Sequence, residues 1–174
     1  MQMKSFLAGG ATLALLGALG AYGVVTGGFV PVNADTSPGP IETFMAKHAL
    51  HAAINRLAPR AADPVAPTAH NLLAGLTLYK QGCAVCHGLA DGQASMVAKG
   101  LYQRPPQLAS HGVEDDPAGV TYWKIAHGIR MTGMPSFDES LDKRQIWELV
   151  TFLKNMDHLP ASAQSAWKAS RIPG

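Results

Sequence analysis

The pattern of apolar and polar positions divides this chain into unequal parts. From Ser5 to Ala34 no residue is charged. Phe6-Leu7, Leu13-Ala14-Leu15-Leu16, Leu19, Tyr22 and Val24-Val25 lie in this run, which exceeds the roughly 20 residues needed to cross a bilayer. Seven glycines thin it (Gly9, Gly10, Gly17, Gly20, Gly23, Gly27 and Gly28), and membrane helices tolerate glycine. Lys4 and the terminal amine precede the run, and Asp35 and Glu42 come after it. The pattern predicts residues 1–34 as a single-pass anchor in the inner (cytoplasmic) membrane, with the rest of the chain in the periplasm. The alternative is a cleaved secretory signal, with Val32-Asn33-Ala34 as the small-residue site before Asp35. The apolar run is longer than the usual signal core of roughly 7–15 residues. Both alternatives export the chain beyond Ala34.

Residues 35–67 are predicted as a juxtamembrane helix and a Pro-rich linker. Thr36-Ser37-Pro38-Gly39-Pro40 is a cluster of helix breakers. Ile41 to Leu57 favours helix but shows no clean stripe. Ile41, Met45 and Ala52 share one face, and Leu50, Ala53 and Leu57 another. Such a helix suits a position near a membrane, or a partner contact on two sides. His48 and His51 have a spacing that would allow a shared metal, but no third ligand is near, and solvated or interfacial histidines fit better. Pro59, Pro64 and Pro67 mark Ala58–Thr68 as extended.

Residues 68–158 carry three helical patterns. Thr68 is a candidate N-cap for a helix through Gln81, with Leu72, Gly75, Leu76 and Tyr79 on one stripe. Gly88, Gly92, Gly100, Pro105 and Pro106 exclude any long regular element before about Asp116. A second helix is predicted over Pro117–His127, with Tyr122, Ile125, Ala126 and Ile129 on its buried side and Pro117 in the first turn. The third is predicted over Leu141–Met156 with Ser140 as N-cap. Its apolar stripe is Ile146, Leu149, Val150, Leu153 and Met156, with Glu148, Thr151 and Asn155 opposite. No segment alternates with period two, so the fold class is all-α. Composition fits one compact domain with an appendage: 174 residues, 47% hydrophobic and 15% charged.

The chemistry concentrates at Cys83-Ala84-Val85-Cys86-His87. Cys-x-x-Cys-His is the signature of covalent c-type haem attachment. On a helical turn, residues three apart share a face, so both thiols can reach the vinyl groups on one edge of the macrocycle. His87 then follows as the proximal iron ligand. A structural zinc site would need four ligands, but these are the chain's two cysteines, and no spaced histidine pair follows them. A thioredoxin-like pair would need a βαβ context, which is absent. One haem also explains the long loops, because a large apolar disc supplies core that a short chain lacks. For the sixth ligand, Gly133-Met134-Pro135 places a thioether in a loop after the second helix. Methionine often partners histidine in such haems. Met131, Met96, His111 and His127 are the other candidates, and a gap-filling core methionine is the plain alternative for Met134.

Asn71 to Met156 resembles a class I cytochrome c domain, of the mono-haem bacterial type with an N-terminal membrane anchor. The resemblance is carried by Gly75 and Tyr79, Cys83–His87, Arg104-Pro105-Pro106-Gln107-Leu108, Gly128-Ile129-Arg130-Met131-Thr132-Gly133-Met134-Pro135, and Trp147-Glu148-Leu149-Val150-Thr151-Phe152-Leu153. It implies the cytochrome c fold of three main helices and long loops around one haem. It implies thioether bonds from Cys83 and Cys86, an axial pair of His87 and Met134, and a backbone carbonyl from Pro105 or Pro106 on the second nitrogen of His87. It also implies that the first and last helices of the domain cross at Gly75, with Tyr79 near Leu149 and Phe152. His70 departs from the acid that many relatives carry in the first helical turn. The tail, residues 159–174, has no counterpart in the basic domain and is assigned to a partner contact.

Charge bears on the partners. Thr68 to His158 holds eight Lys and Arg against nine Asp and Glu, while the flanks hold six against three. The haem domain is therefore not a strongly basic carrier steered from afar. Glu114-Asp115-Asp116 and Lys143-Arg144 remain as local runs, best read as solvated loop or cap. A near-neutral domain beside an anchor suits partners held by proximity. No nucleic-acid motif and no small-molecule site is expected. The sequence is thus read as an electron carrier rather than an enzyme: a membrane-anchored haem c protein passing single electrons between redox proteins, as part of a membrane oxidoreductase complex. The alternative is a peroxidase-like haem enzyme or ligand sensor with a labile sixth ligand.

Overall fold

The computed structural model describes residues 2–171. All regular structure among them is helical, and none is strand. The chain separates into two units, Met1–Asn33 and Ala34–Gly174.

The first unit is helix α1, Gln2–Thr26. Its segment Phe6–Thr26 is long and apolar enough to cross a membrane, by length and composition. Leu13, Leu15, Leu16, Leu19 and Tyr22 are all exposed on it. The hydroxyls of Thr12 and Thr26 donate to the carbonyls of Ala8 and Tyr22, one turn back. Both hydroxyls are therefore satisfied within the helix, as a hydrocarbon surrounding would require.

The second unit holds α2 (Pro40–Leu57), α3 (Ala69–Gly82), α4 (Ala84–His87), α5 (Met96–Gly100), α6 (Ala118–His127), α7 (Lys143–Lys154), a 3-10 turn at Met156–His158, and α8 (Ala161–Lys168). Helix α3 begins at Thr68, whose hydroxyl accepts the Asn71 N–H at 3.3 Å. Leu72, Gly75, Leu76 and Tyr79, the stripe expected from periodicity, are all buried. That stripe lies across α7. At the crossing, a Cβ on Gly75 would press on the Glu148 carbonyl oxygen and stand 2.7 Å from Phe152 Cβ. Only glycine lets the two backbones approach so closely.

Helix α6 starts one residue later than expected, with Pro117 as its N-cap. It buries Ile125 and Ala126 as expected, with Gly119 and Thr121 as well, and leaves Tyr122 half-buried. Helix α7 also differs at its start, because its N-cap is Asp142 rather than Ser140. The Asp142 carboxylate accepts the Gln145 N–H at 2.9 Å, and the Gln145 side chain accepts the Asp142 N–H at 2.9 Å. This reciprocal box satisfies two donors where a serine two residues earlier would satisfy one. Ser140 lies instead in a turn closed on the Phe137 carbonyl.

Ile146, Leu149, Val150, Leu153 and Met156 form the buried stripe, as the sequence indicates. Glu148 and Thr151, expected on the solvent side, are buried too. Glu148 stands at the Gly75 crossing with α3, and Thr151 is covered by the segment between α2 and α3, which is extended yet packed. The Thr151 hydroxyl donates to the Asp63 carboxylate at 2.8 Å, and the Pro59 carbonyl lies against Gly119 of α6. Glu148 accepts from Arg144 at 3.0 Å. Residues 59–65 thus form a strap over α6 and α7.

The tail also turns inward. In α8, Ala163 and Trp167 are buried. The Trp167 ring sits edge-on to Tyr79 and Phe152, at 5.6 and 5.7 Å between centroids. Tyr79 and Phe152 are themselves 5.5 Å apart. Residues 172–174 of the tail lie outside the described residues.

Trp167→Ala should lower the unfolding free energy of the protein by about 3–5 kcal/mol, the range for truncating a buried aromatic. Guanidinium titration checks this; a loss below about 0.5 kcal/mol, ordinary for a surface change, would show the tail to be a mere appendage.

Candidate functional site

The cysteine turn follows α3 directly. In α4 the N–H groups of Cys86 and His87 both reach the Cys83 carbonyl, at 3.0 and 2.9 Å. Both thiols are free and half-buried. Burial, with Cys86 alongside, pushes the Cys83 thiol up to about 12, so it stays protonated at neutral pH.

His87 Nδ1 lies 2.9 Å from the Pro106 carbonyl oxygen. A carbonyl only accepts, so Nδ1 carries the hydrogen and Nε2 keeps its lone pair. Burial holds the imidazole below its usual range, and the Pro106 acceptor acts against that. Neutral imidazole is the form that ligates iron.

The carbonyls at the end of a helix lack helical partners. Here each finds another. The Ser95 hydroxyl donates to Val85 O, and Gln107 Nε2 donates to Cys86 O at 3.0 Å and to Pro105 O at 3.2 Å. The Leu108 N–H donates to His87 O at 3.1 Å. The Tyr79 hydroxyl donates to Gly88 O at 2.8 Å, and burial pushes its pKa well above the usual tyrosine range, keeping it a donor. Four successive carbonyls are therefore held by four different residues. Gly88 has φ +77° and ψ −177°, a region open only to glycine, and a Cβ there would strike the Gln107 side chain.

The second loop closes α6. The Ile129 N–H donates to the Met134 carbonyl at 3.1 Å. The Thr132 hydroxyl donates to Ile129 O at 2.7 Å and accepts the Met134 N–H at 3.1 Å. Gly133 lies against the Leu101 side chain, so this loop adjoins the one that carries Pro105 to Leu108. Met134 is half-buried and packed on the core.

The other candidates for a sixth ligand stand elsewhere. Met131 and Met96 are each 91% exposed, and Met131 has a left-handed backbone, φ +62°. His111 and His127 are exposed. Of the two prolines, Pro106 holds the imidazole and Pro105 is tied to Gln107. His48 places Nδ1 2.8 Å from the Phe44 carbonyl and packs its ring on Phe44. Among the described residues, no group of three His, Cys, Asp or Glu is placed to hold a metal ion.

Sequence reasoning missed Gln107, Ser95 and the Tyr79 hydroxyl as supports of the cysteine turn. Gln107 carried one signal: it is a polar residue directly after the Pro-Pro pair, in a loop that must pack against the turn.

The donor set fits haem c. Two free thiols and an imidazole with an open Nε2 share one turn, and a thioether sits half-buried in a neighbouring loop. Cys83 and Cys86 would hold the porphyrin, and His87 would face the iron, whose chemistry is reversible one-electron transfer. Residues 70–153 match the family model described as cytochrome C oxidase, cbb3-type, subunit III. The domain is a c-type cytochrome domain, an electron-transfer haem module with covalently bound haem c as its cofactor. No curated protein matches the chain.

Gly88→Ala should destabilise the haem-loaded protein by about 1–3 kcal/mol, because it both strains the backbone and expels the Gln107 side chain. Gln107→Leu, which keeps the bulk and frees the Cys86 carbonyl, should lose about 1–2 kcal/mol. Thermal unfolding of each variant checks both values.

Proposed function

We propose that this chain is a membrane-anchored mono-haem cytochrome c that passes single electrons between respiratory proteins, as the haem-carrying subunit of an oxidase-like complex. The haem domain faces the periplasm. The observation that carries this most strongly is the pairing of two loops. One fixes His87 through the Pro106 carbonyl at 2.9 Å. The other closes on itself around Met134 through bonds among Ile129, Thr132 and Met134. His87 and Met134 would both hold the iron, and a haem held in this way would supply one-electron transfer rather than substrate chemistry.

The supports for the wider assignment differ in kind. The apolar segment Phe6–Thr26 supports the anchor. The family match over residues 70–153 supports a place in an oxidase-like assembly. The charge balance of the haem domain supports partners reached by proximity rather than by long-range attraction.

Met134→Ala should open the sixth position. The ferrous protein should then bind carbon monoxide within mixing time, and its midpoint potential should fall, because thioether ligation raises it. A parent protein that binds carbon monoxide equally fast would overturn the closed iron and point to a ligand-binding haem protein. Haem staining of a denaturing gel tests the anchor. A stained band in membranes at full-length mass is expected, whereas a soluble band shortened by the residues before Asp35 would mean a cleaved signal.

A further inference from the structure

Helix α2 presents an apolar surface that its own unit leaves uncovered. Ile54 is its buried residue, with Thr43, Leu50 and Ala53 half-buried beside it. The opposite side carries Ile41, Phe44 and Met45, exposed by 75, 61 and 64%. These positions, with His48 and Ala52, fall on one helical face at spacings of three and four. The sequence pattern blurred this face, because Leu50 and Ala53 on the inward side are equally apolar.

Three features favour a lipid surface as the occupant. The first is charge. On α2 itself the one acid is Glu42, against Lys47 and Arg56. Glu42 already accepts the Tyr102 hydroxyl at 2.7 Å, and the cations are exposed. Apolar residues bordered by cations suit anionic headgroups. The second is size. Three large side chains are few beside the roughly 20–30 residues that a stable protein interface uses on each side, yet they suffice for shallow insertion. The third is reach. Only residues 27–39 separate α1 from α2, a span of at most about 45 Å.

We infer that α2 lies along the surface of an anionic bilayer, with Ile41, Phe44 and Met45 among the acyl chains. This rests on α1 being the membrane anchor. Since the Tyr102–Glu42 bond ties the first turn of α2 to the loop before Pro105, lipid contact also sets how the haem domain stands above the membrane.

The test uses the full haem-loaded chain in vesicles of phosphatidylcholine with phosphatidylglycerol. Nitroxides are placed singly by Phe44→Cys, by Leu15→Cys in α1, and by Ser162→Cys as a water-facing reference. Each is read by collision with oxygen, which concentrates in lipid, and with a water-soluble nickel chelate. The expected result at position 44 is relaxation by oxygen severalfold stronger than by the chelate, with the ratio falling when phosphatidylglycerol is left out. A ratio like that of position 162 would overturn the inference. So would a label reached by neither reagent, which would mean that a second copy of the chain covers the face. Position 15 separates the two readings. Lipid character there with water character at 44 leaves the anchor standing and removes the surface contact. Chelate access at 15 removes the anchor and the inference with it.

Discussion

Everything at the haem turn depends on how closely α3 approaches α7. The turn starts where α3 ends, so its position is the position of α3. That position is set where Gly75 meets the Glu148 carbonyl and Phe152. With the helices at this separation, Tyr79 falls between Phe152 and Trp167, and its hydroxyl reaches the Gly88 carbonyl. A helix pair held apart by one methyl group would move the tyrosine, the carbonyl it holds and the histidine beside that carbonyl. Packing and ligation are therefore linked through one missing Cβ.

Much of this was legible in the sequence, for identifiable reasons. The stripes of α3 and α7 could be read because each helix has one strongly apolar side against a polar one, and Ile146, Leu149, Val150 and Leu153 are buried as that contrast requires. Cys83–His87 could be read because its spacing is dictated by the cofactor. The errors arose where a second layer covers what a single helix would expose. Glu148 and Thr151 look solvated on a helical wheel and are buried because the strap reaches over Thr151 and α3 comes down on Glu148 at Gly75. Long-range partners of this kind leave no local period. The cap of α7 was missed for a different reason: Ser140 and Asp142 are both good capping types, and only Gln145 three residues beyond Asp142 decides between them. The tail was legible as an addition to the basic domain, but its inward direction was not, since Ala163 and Trp167 are buried in the domain itself.

The strap is part of the fold rather than a tether. A proline-rich stretch reads as a spacer, yet Pro59 and Asp63 are fastened to α6 and α7.

The inward-turned tail carries a consequence in time. Trp167 lies about 80 residues beyond Cys86, which a ribosome adding about 5–20 residues per second makes in roughly 4–16 s. Through that interval α3 exists without the aromatic ring that packs on Tyr79. Trp167 is thus the last of the three rings to be made, and closure of the Tyr79–Phe152–Trp167 cluster waits on the end of the chain.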